Sequence, residues 1–275
     1  MSDMRIAVIQ MNLTHSYEDN MEKSETLLQS AGREGATIAC FPELFPYSWF
    51  SVGEDSRHLA LAEPADGRTL QRVREWAKAY RIAVIAPIYE QEGGNRYNTS
   101  FVVSEHGDVL GRYRKNHIPY HPGWFEKYYY GPGDLGFPVF HHQGTQIGIQ
   151  TCWDNLFPEG SRILAVKGAR VIFSPRGTGD YSVPRWRTAL AANAMANGCF
   201  VATANRIGLE GDLYRFGGDS FVSGPDGRII AAATQEDEAL VVTLDLREVE
   251  ESRKEWPFLE DRRPHIYREI AEGPQ

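Results

Sequence analysis

The chain has no apolar run near the ~20 residues that a membrane-crossing helix needs. Its opening, Met1-Ser2-Asp3-Met4 into Arg5-Ile6-Ala7-Val8-Ile9-Gln10, is too short and too polar at its end to be the core of a secretory signal, so a cytoplasmic protein is expected. Cysteine is scarce. Cys40, Cys152 and Cys199 are the only three, with no Cys-x-x-Cys, which speaks against a disulfide framework or a zinc site and for a reducing compartment. Basic charge is in deficit, 29 Lys and Arg against 37 Asp and Glu, and a net charge of −8 argues against a nucleic-acid partner. Neither His-Glu-x-x-His nor Gly-x-Ser-x-Gly occurs. Gly131-Pro132-Gly133-Asp134-Leu135-Gly136 matches a dinucleotide-binding spacing, but it follows three tyrosines rather than an apolar strand and contains Pro, so it reads as a turn. His141 and His142 are neighbours on a strand and point to opposite faces, while His117 and His121 straddle Pro119. No metal and no cofactor is expected.

What remains is an ordinary globular composition, 42% hydrophobic and 24% charged over 275 residues, enough chain to bury a large core without staples. Strands are expected at 4–11, 36–41 and 81–89, with helices at 17–31 and 68–80 between them, the order of an α/β layer. The second half repeats the style. It has strands near 138–141, 146–151, 170–174 and 199–205, helices at 159–167 and 184–197, and a hairpin about Gly224-Pro225-Asp226-Gly227. No linker separates the halves, which predicts one domain over 1–275 with two packed sheets and helices outside. The tail, 257–275, carries too many aromatic and charged residues for a free end and is expected to lie on a neighbouring subunit.

Cys152 is the most telling residue. Gln146–Thr151 reads as a strand running into the thiol, and Asn155-Leu156-Phe157-Pro158-Glu159 reads as a helix start. A thiol at such a junction lies near backbone N–H groups and the positive end of a helix dipole, both of which favour thiolate. Two isolated ionisable residues stand upstream in short, distinctive settings, Glu43 in Phe41-Pro42-Glu43-Leu44-Phe45 and Lys115 in Arg114-Lys115-Asn116-His117-Ile118-Pro119. Alone, each has a plain reading: a core cysteine, a helix-entry carboxylate, one member of a solvated basic run. Together they supply a nucleophile, a general base and an electrostatic stabiliser, the parts needed to open an amide carbonyl. The backbone N–H of Trp153 is the natural second donor to an oxyanion. A Cys–His pair using His117 would leave Glu43 and Lys115 unexplained.

The ordered set Pro42-Glu43-Leu44, Arg114-Lys115-Asn116-His117-Ile118-Pro119 and Thr151-Cys152-Trp153-Asp154 resembles the nitrilase superfamily of carbon–nitrogen hydrolases, over nearly the whole chain. The resemblance implies a four-layer α-β-β-α sandwich, with Glu43, Lys115 and Cys152 catalytic and Glu126 a second glutamate that positions substrate and lysine. It also implies a homo-oligomer, dimeric or larger. The Cys152-Trp153-Asp154 and Glu126-Lys127-Tyr128-Tyr129 segments look most like the branches that cleave an N-carbamoyl amine or N-carbamoyl amino acid to the amine, ammonia and carbon dioxide. An ω-amidase, an aliphatic amidase or an acyl transferase would share these residues; a nitrilase or a non-catalytic binding protein fits less well. Candidate substrate contacts are Arg176 for a carboxylate, Asp154 and Asp180 for an ammonium, and Tyr47, Trp49 and Trp124 as aromatic walls.

Overall fold

The computed structural model describes residues 3–210 and 214–272. The first half runs β1 (Asp3–Gln10), α1 (Tyr17–Arg33), β2 (Ile38–Cys40), α2 (Arg68–Tyr80), β3 (Ala83–Glu92), β4 (Asn95–Val103), β5 (Val109–Arg114) and the short α3 (Glu126–Tyr129). Then come β6 (Val139–His142), β7 (Thr145–Ile149), α4 (Pro158–Val166), β8 (Val171–Arg176), α5 (Val183–Asn197) and β9 (Phe200–Asn205). The chain closes with β10 (Ile207–Glu210), β11 (Tyr214–Gly217), β12 (Phe221–Ser223), β13 (Ile229–Ala232), β14 (Glu238–Asp245), α6 (Arg247–Glu255) and α7 (Arg268–Glu272). Among the described residues no helix is long and apolar enough to cross a membrane.

The strands form two six-stranded mixed sheets, ordered β14-β1-β2-β3-β4-β5 and β13-β12-β9-β8-β7-β6. In each, three central strands are parallel, β1-β2-β3 and β7-β8-β9, and the flanking strands antiparallel. Three apolar clusters define the layers. Ile6, Val8, Ile85, Ile149, Phe173 and Phe200 pack between the sheets. Ala7, Ile9, Met21, Leu28, Val73 and Trp76 join the outer face of the first sheet to α1 and α2. Leu164, Ile172, Leu190, Val201 and Phe221 join the second sheet to α4 and α5. The expected α-β-β-α sandwich is therefore the observed one.

The helices form where apolar residues recur on one face. In α2, Leu70, Val73, Trp76 and Ala77 are the buried apolar positions, and a side chain the size of Leu70 or Val73 contributes on the order of 1.5–3 kcal/mol through burial. Ser16 caps α1 by accepting the Asp19 N–H at 3.2 Å. The β10–β11 hairpin has no counterpart among the expected elements. The tail from 257 to 272 lies on the outside, with Phe258, Ile266, Tyr267 and Ile270 exposed; Met1, Ser2 and residues 273–275 lie outside the described residues.

Candidate active site

Strands β2, β5, β7 and β8 finish at one end of the sandwich, and the segments leaving them carry Glu43, Lys115, Cys152 and Gly177. Two of these exits need unusual backbone. Leu44, beside Glu43, has φ +53°, and Cys152 has φ +46°. Residues other than Gly rarely hold that conformation, and it concentrates where a structure over-determines a site.

Glu43, Lys115 and Glu126 are fully buried and in contact. The Lys115 Nζ donates to Glu43 Oε1 at 2.7 Å and to Glu126 Oε2 at 2.6 Å. Glu43 Oε1 also accepts from Asn98 Nδ2 at 2.7 Å, and Oε2 accepts the Gly177 N–H at 3.0 Å. The Tyr130 hydroxyl donates to Glu126 Oε2 at 2.5 Å, while Glu126 Oε1 has no partner among the described residues. Burial alone would push the Lys115 ammonium down; Glu126, Glu43 and Cys152 outweigh it and hold it up. Burial, reinforced by Glu43, pushes the Glu126 carboxyl up to about 7 against the pull of Lys115.

Cys152 opens a short 3-10 turn, Cys152–Leu156, and α4 starts only at Pro158. The expectation of a thiolate set by the helix start is therefore corrected. The thiol is 2% exposed, and burial together with Glu43 pushes it well up, with Lys115 pulling the other way. Its surroundings favour the protonated thiol over the thiolate, the opposite of the sequence expectation.

A cavity of ≈ 100 Å³ opens onto Cys152. Trp124, Trp153, Tyr181 and Trp186 supply its apolar walls, with Thr178 and Arg185 among its polar lining. Trp124 is thus where an aromatic wall was expected. Trp49 and Tyr47 are not in the lining. Trp49 sits behind Gly177, where an added Cβ would meet its ring at 2.8 Å, and the Tyr47 hydroxyl donates to Glu63 at 2.9 Å.

The charged substrate contacts expected from sequence need correction. Arg176 is fully buried, and its donors go to Thr203 Oγ1 at 2.8 Å, Thr178 Oγ1 at 2.5 Å and the Asp219 carbonyl at 2.5 Å. It braces the loop after β8 and has no face on the cavity. Asp154 is also fully buried. It accepts from the Tyr113 hydroxyl at 2.5 Å, the His117 N–H at 2.9 Å and the Thr151 N–H at 3.2 Å, which fixes the turn holding Cys152. Asp180 is exposed, accepts the Tyr181 N–H at 2.7 Å and does not line the cavity.

Arg206 is the residue that sequence reasoning missed. Its guanidinium is fully buried and donates to the carbonyls of Glu43 at 2.9 Å, Leu44 at 2.9 Å and Tyr47 at 3.0 Å, and to Glu210 Oε2 at 2.6 Å. It clamps the elbow that presents Glu43. The one available signal was a charged residue ending the apolar run from Cys199. Arg114 and Lys115, readable as a solvated basic run, are instead both buried, Arg114 against Glu90, Glu92 and Asp134.

With this geometry in hand, similarity to known proteins is informative. The carbon-nitrogen hydrolase family model matches residues 5–254. An N-carbamoylputrescine amidase from Solanum lycopersicum is 34% identical over 96% of this chain and 93% of its own. A citrullinase from Francisella tularensis is 33% identical over 98% and 99%. The crystal structure of a carbon-nitrogen hydrolase from Helicobacter pylori superimposes with a TM-score of 0.94 at 31% identity, covering 98% of each chain. The chain belongs to the carbon–nitrogen hydrolase family of the nitrilase superfamily and is an enzyme of the amidase type.

Proposed function

We propose that the protein hydrolyses the carbamoyl group of an N-carbamoyl amine or N-carbamoyl amino acid through a covalent intermediate on Cys152. The observation that carries this reading is the buried Glu43–Lys115–Glu126 chain of 2.7 and 2.6 Å contacts, at the end of the sandwich where β7 runs into Cys152. The relative named as an N-carbamoylputrescine amidase supports the substrate class.

In this mechanism the Cys152 sulfur adds to the carbamoyl carbon while Glu43 takes the thiol proton. Negative charge gathers on the carbonyl oxygen, and the Lys115 ammonium and the Trp153 N–H, in the opening turn after the thiol, stabilise it. The C–N bond to the terminal nitrogen breaks. That nitrogen receives the proton from Glu43 and leaves as ammonia, and the acyl group stays on sulfur as a thioester. Water then adds, giving its proton to Glu43. The C–S bond breaks, the thiol is reformed, and the carbamic acid released loses carbon dioxide to leave the amine. Glu126, with its free Oε1 beside the same lysine, is suited to hold the substrate amide. No step calls for a metal or a cofactor. The reading includes a cytoplasmic homo-oligomer whose 257–275 tail covers a neighbouring subunit, supported by the exposed Phe258, Ile266, Tyr267 and Ile270.

Ammonia release from N-carbamoylputrescine, N-carbamoyl-β-alanine, N-carbamoyl-D- and L-amino acids, glutaramate and a simple aliphatic amide tests the reading, with C152A as the blank. Turnover of one carbamoyl compound that C152A abolishes is the expected result. Turnover retained by C152A would refute the thiol mechanism. Release from glutaramate or the aliphatic amide alone would refute the carbamoyl class.

A further inference from the structure

Among the described residues, the one lining side chain of the cavity over Cys152 that carries a fixed charge is a cation, Arg185. Arg185, His121 and Tyr181 are its ionisable lining residues besides the thiol, and no Asp or Glu among the described residues lines it. The acids nearby are committed elsewhere, Glu43 and Glu126 to Lys115. Asp154 is used by the Cys152 turn, Asp219 is held by Arg187 and Arg176, and Asp180 accepts the Tyr181 N–H outside the lining. Arg185 is exposed and makes no ion pair with a described acid, whereas Arg187, two residues on, is tied to Asp219.

The backbone adds to the same sign. Arg185 and Trp186 belong to the first turn of the fifteen-residue α5, preceded by Ser182, and all three line the cavity. Ser182 does not cap the helix; its hydroxyl donates back to the Gly179 carbonyl at 2.8 Å. Val183 donates its N–H to the Asp180 carbonyl and Pro184 has no N–H, so the positive sign at this end rests on the helix dipole and on Arg185 itself. The aromatic walls alone would tolerate an ammonium through cation–π contact, but a guanidinium in the same lining repels one.

Resting on the carbamoyl-amidase reading above, we propose that Arg185 binds the carboxylate of a short N-carbamoyl amino acid and selects against substrates that end in an ammonium. Arg176 was the sequence candidate for this task; Arg185 has the free guanidinium and the position. Cys152 and Arg185 line the same small cavity, ≈ 100 Å³, which favours a short spacer between the carbamoyl group and the carboxylate.

The test compares R185Q, R185K and R185E with the wild type in two readouts. The first is kcat/KM for ammonia release from N-carbamoylglycine and N-carbamoyl-β-alanine, each taken as a ratio to N-propylurea, which keeps the carbamoyl group and lacks the carboxylate. The second is the rate of Cys152 alkylation by iodoacetate and 3-iodopropionate, each relative to its amide, which needs no turnover. The acid-to-neutral ratio should fall ~10-fold or more in R185Q, the loss of a charged guanidinium–carboxylate contact. R185K should recover part of it, and R185E should shift preference toward N-carbamoylputrescine. A kinetic ratio that changes less than ~2-fold in R185Q overturns the proposal. If no carbamoyl compound is turned over, the carbamoyl reading fails, and the alkylation ratio decides Arg185 alone. A ~10-fold fall keeps it as the anion reader, and an unchanged ratio removes it.

Discussion

Replacing Arg206 by Met should destabilise the protein by an amount that grows with pH. The guanidinium holds three carbonyls of the Glu43 elbow and the Glu210 carboxylate, and Glu210 is only 5% exposed. Without the cation, Glu210 has the Trp49 N–H as its remaining hydrogen-bond donor, at 2.7 Å. A carboxylate so placed takes a proton when that costs less than staying charged. Burial already pushes Glu210 up in the wild type, and Arg206 pulls it back. Protonating a glutamate of ordinary pKa costs at most about 4 kcal/mol at pH 7.5 and about 1.5 kcal/mol at pH 5.5. The sign follows from linkage. In R206M the folded pKa of Glu210 lies above the unfolded one, so its contribution is intact below the unfolded pKa and is lost as pH rises through the folded pKa. The R206M penalty, measured by reversible urea unfolding, should therefore exceed its pH 5.5 value by about 2–3 kcal/mol at pH 7.5. Adding E210Q should remove that pH dependence and leave only the cost of three unpaired carbonyls. Turnover separates the clamp from the ion pair. E210Q keeps Arg206 on the elbow and should stay within a few-fold of wild type, while R206M should lose ~100-fold, the scale for a misplaced catalytic group. A pH-independent penalty for R206M, or one that E210Q leaves untouched, would refute the reasoning.

Three further outcomes follow from the same contacts. Glu126 has its folded pKa raised to about 7, so the wild type should lose up to ~3 kcal/mol of stability between about pH 4.5 and 7 from this group, a loss that E126Q should lack in urea unfolding at pH 5 and 8. G177A places a Cβ 2.8 Å from the Trp49 ring and disturbs the N–H that Glu43 accepts; its thermal unfolding should show a loss of ~1–3 kcal/mol, recovered in part by W49L, with turnover reduced in the single variant. D154A strands the Thr151 N–H, the His117 N–H and the Tyr113 hydroxyl and should cost ~3–5 kcal/mol in urea unfolding; a loss under ~1 kcal/mol would show that the Cys152 turn does not depend on it.

The sandwich was legible because its helices and strands carry clean periodicity. The helix expected over 68–80 is α2, residue for residue, since Leu70, Val73 and Trp76 set the period and all three are buried. Glu43, Lys115 and Cys152 stood out because each is a reactive group in an apolar or Pro-bounded setting, and the structure brings the segments around them to one end. The charge of the pocket was not legible. Arg176 ends β8 and Arg185 follows it nine positions on, but only three-dimensional placement tells which is spent. Arg176 turns inward to Thr203 and Asp219, whereas the chain leaves the sheet at Gly177 and re-enters as α5, so Arg185 reaches the cavity. Arg206 was invisible for a related reason. Its main partners are backbone carbonyls some 160 positions earlier, and a carbonyl leaves no mark in a sequence.

The distribution of cost within the fold points to the same end of the sandwich without reference to any motif. Replacing a buried ion pair by well-packed apolar side chains is often neutral or stabilising, so a fold selected for stability alone would not keep many. Here Arg206, Lys115, Glu43, Glu126 and Glu210 are all buried beside the exits of β2, β5 and β9, next to the positive-φ backbone of Leu44 and Cys152. The core between the sheets, by contrast, is built from Ile, Val and Phe. Buried charge and strained backbone thus coincide where parallel strands end, which is where segments from both sheets can converge. That coincidence supports the proposed site at this end, and the network around it has a definite geometry. It holds one ammonium between two buried carboxyl groups beside the turn that carries Cys152, where low polarity strengthens each contact.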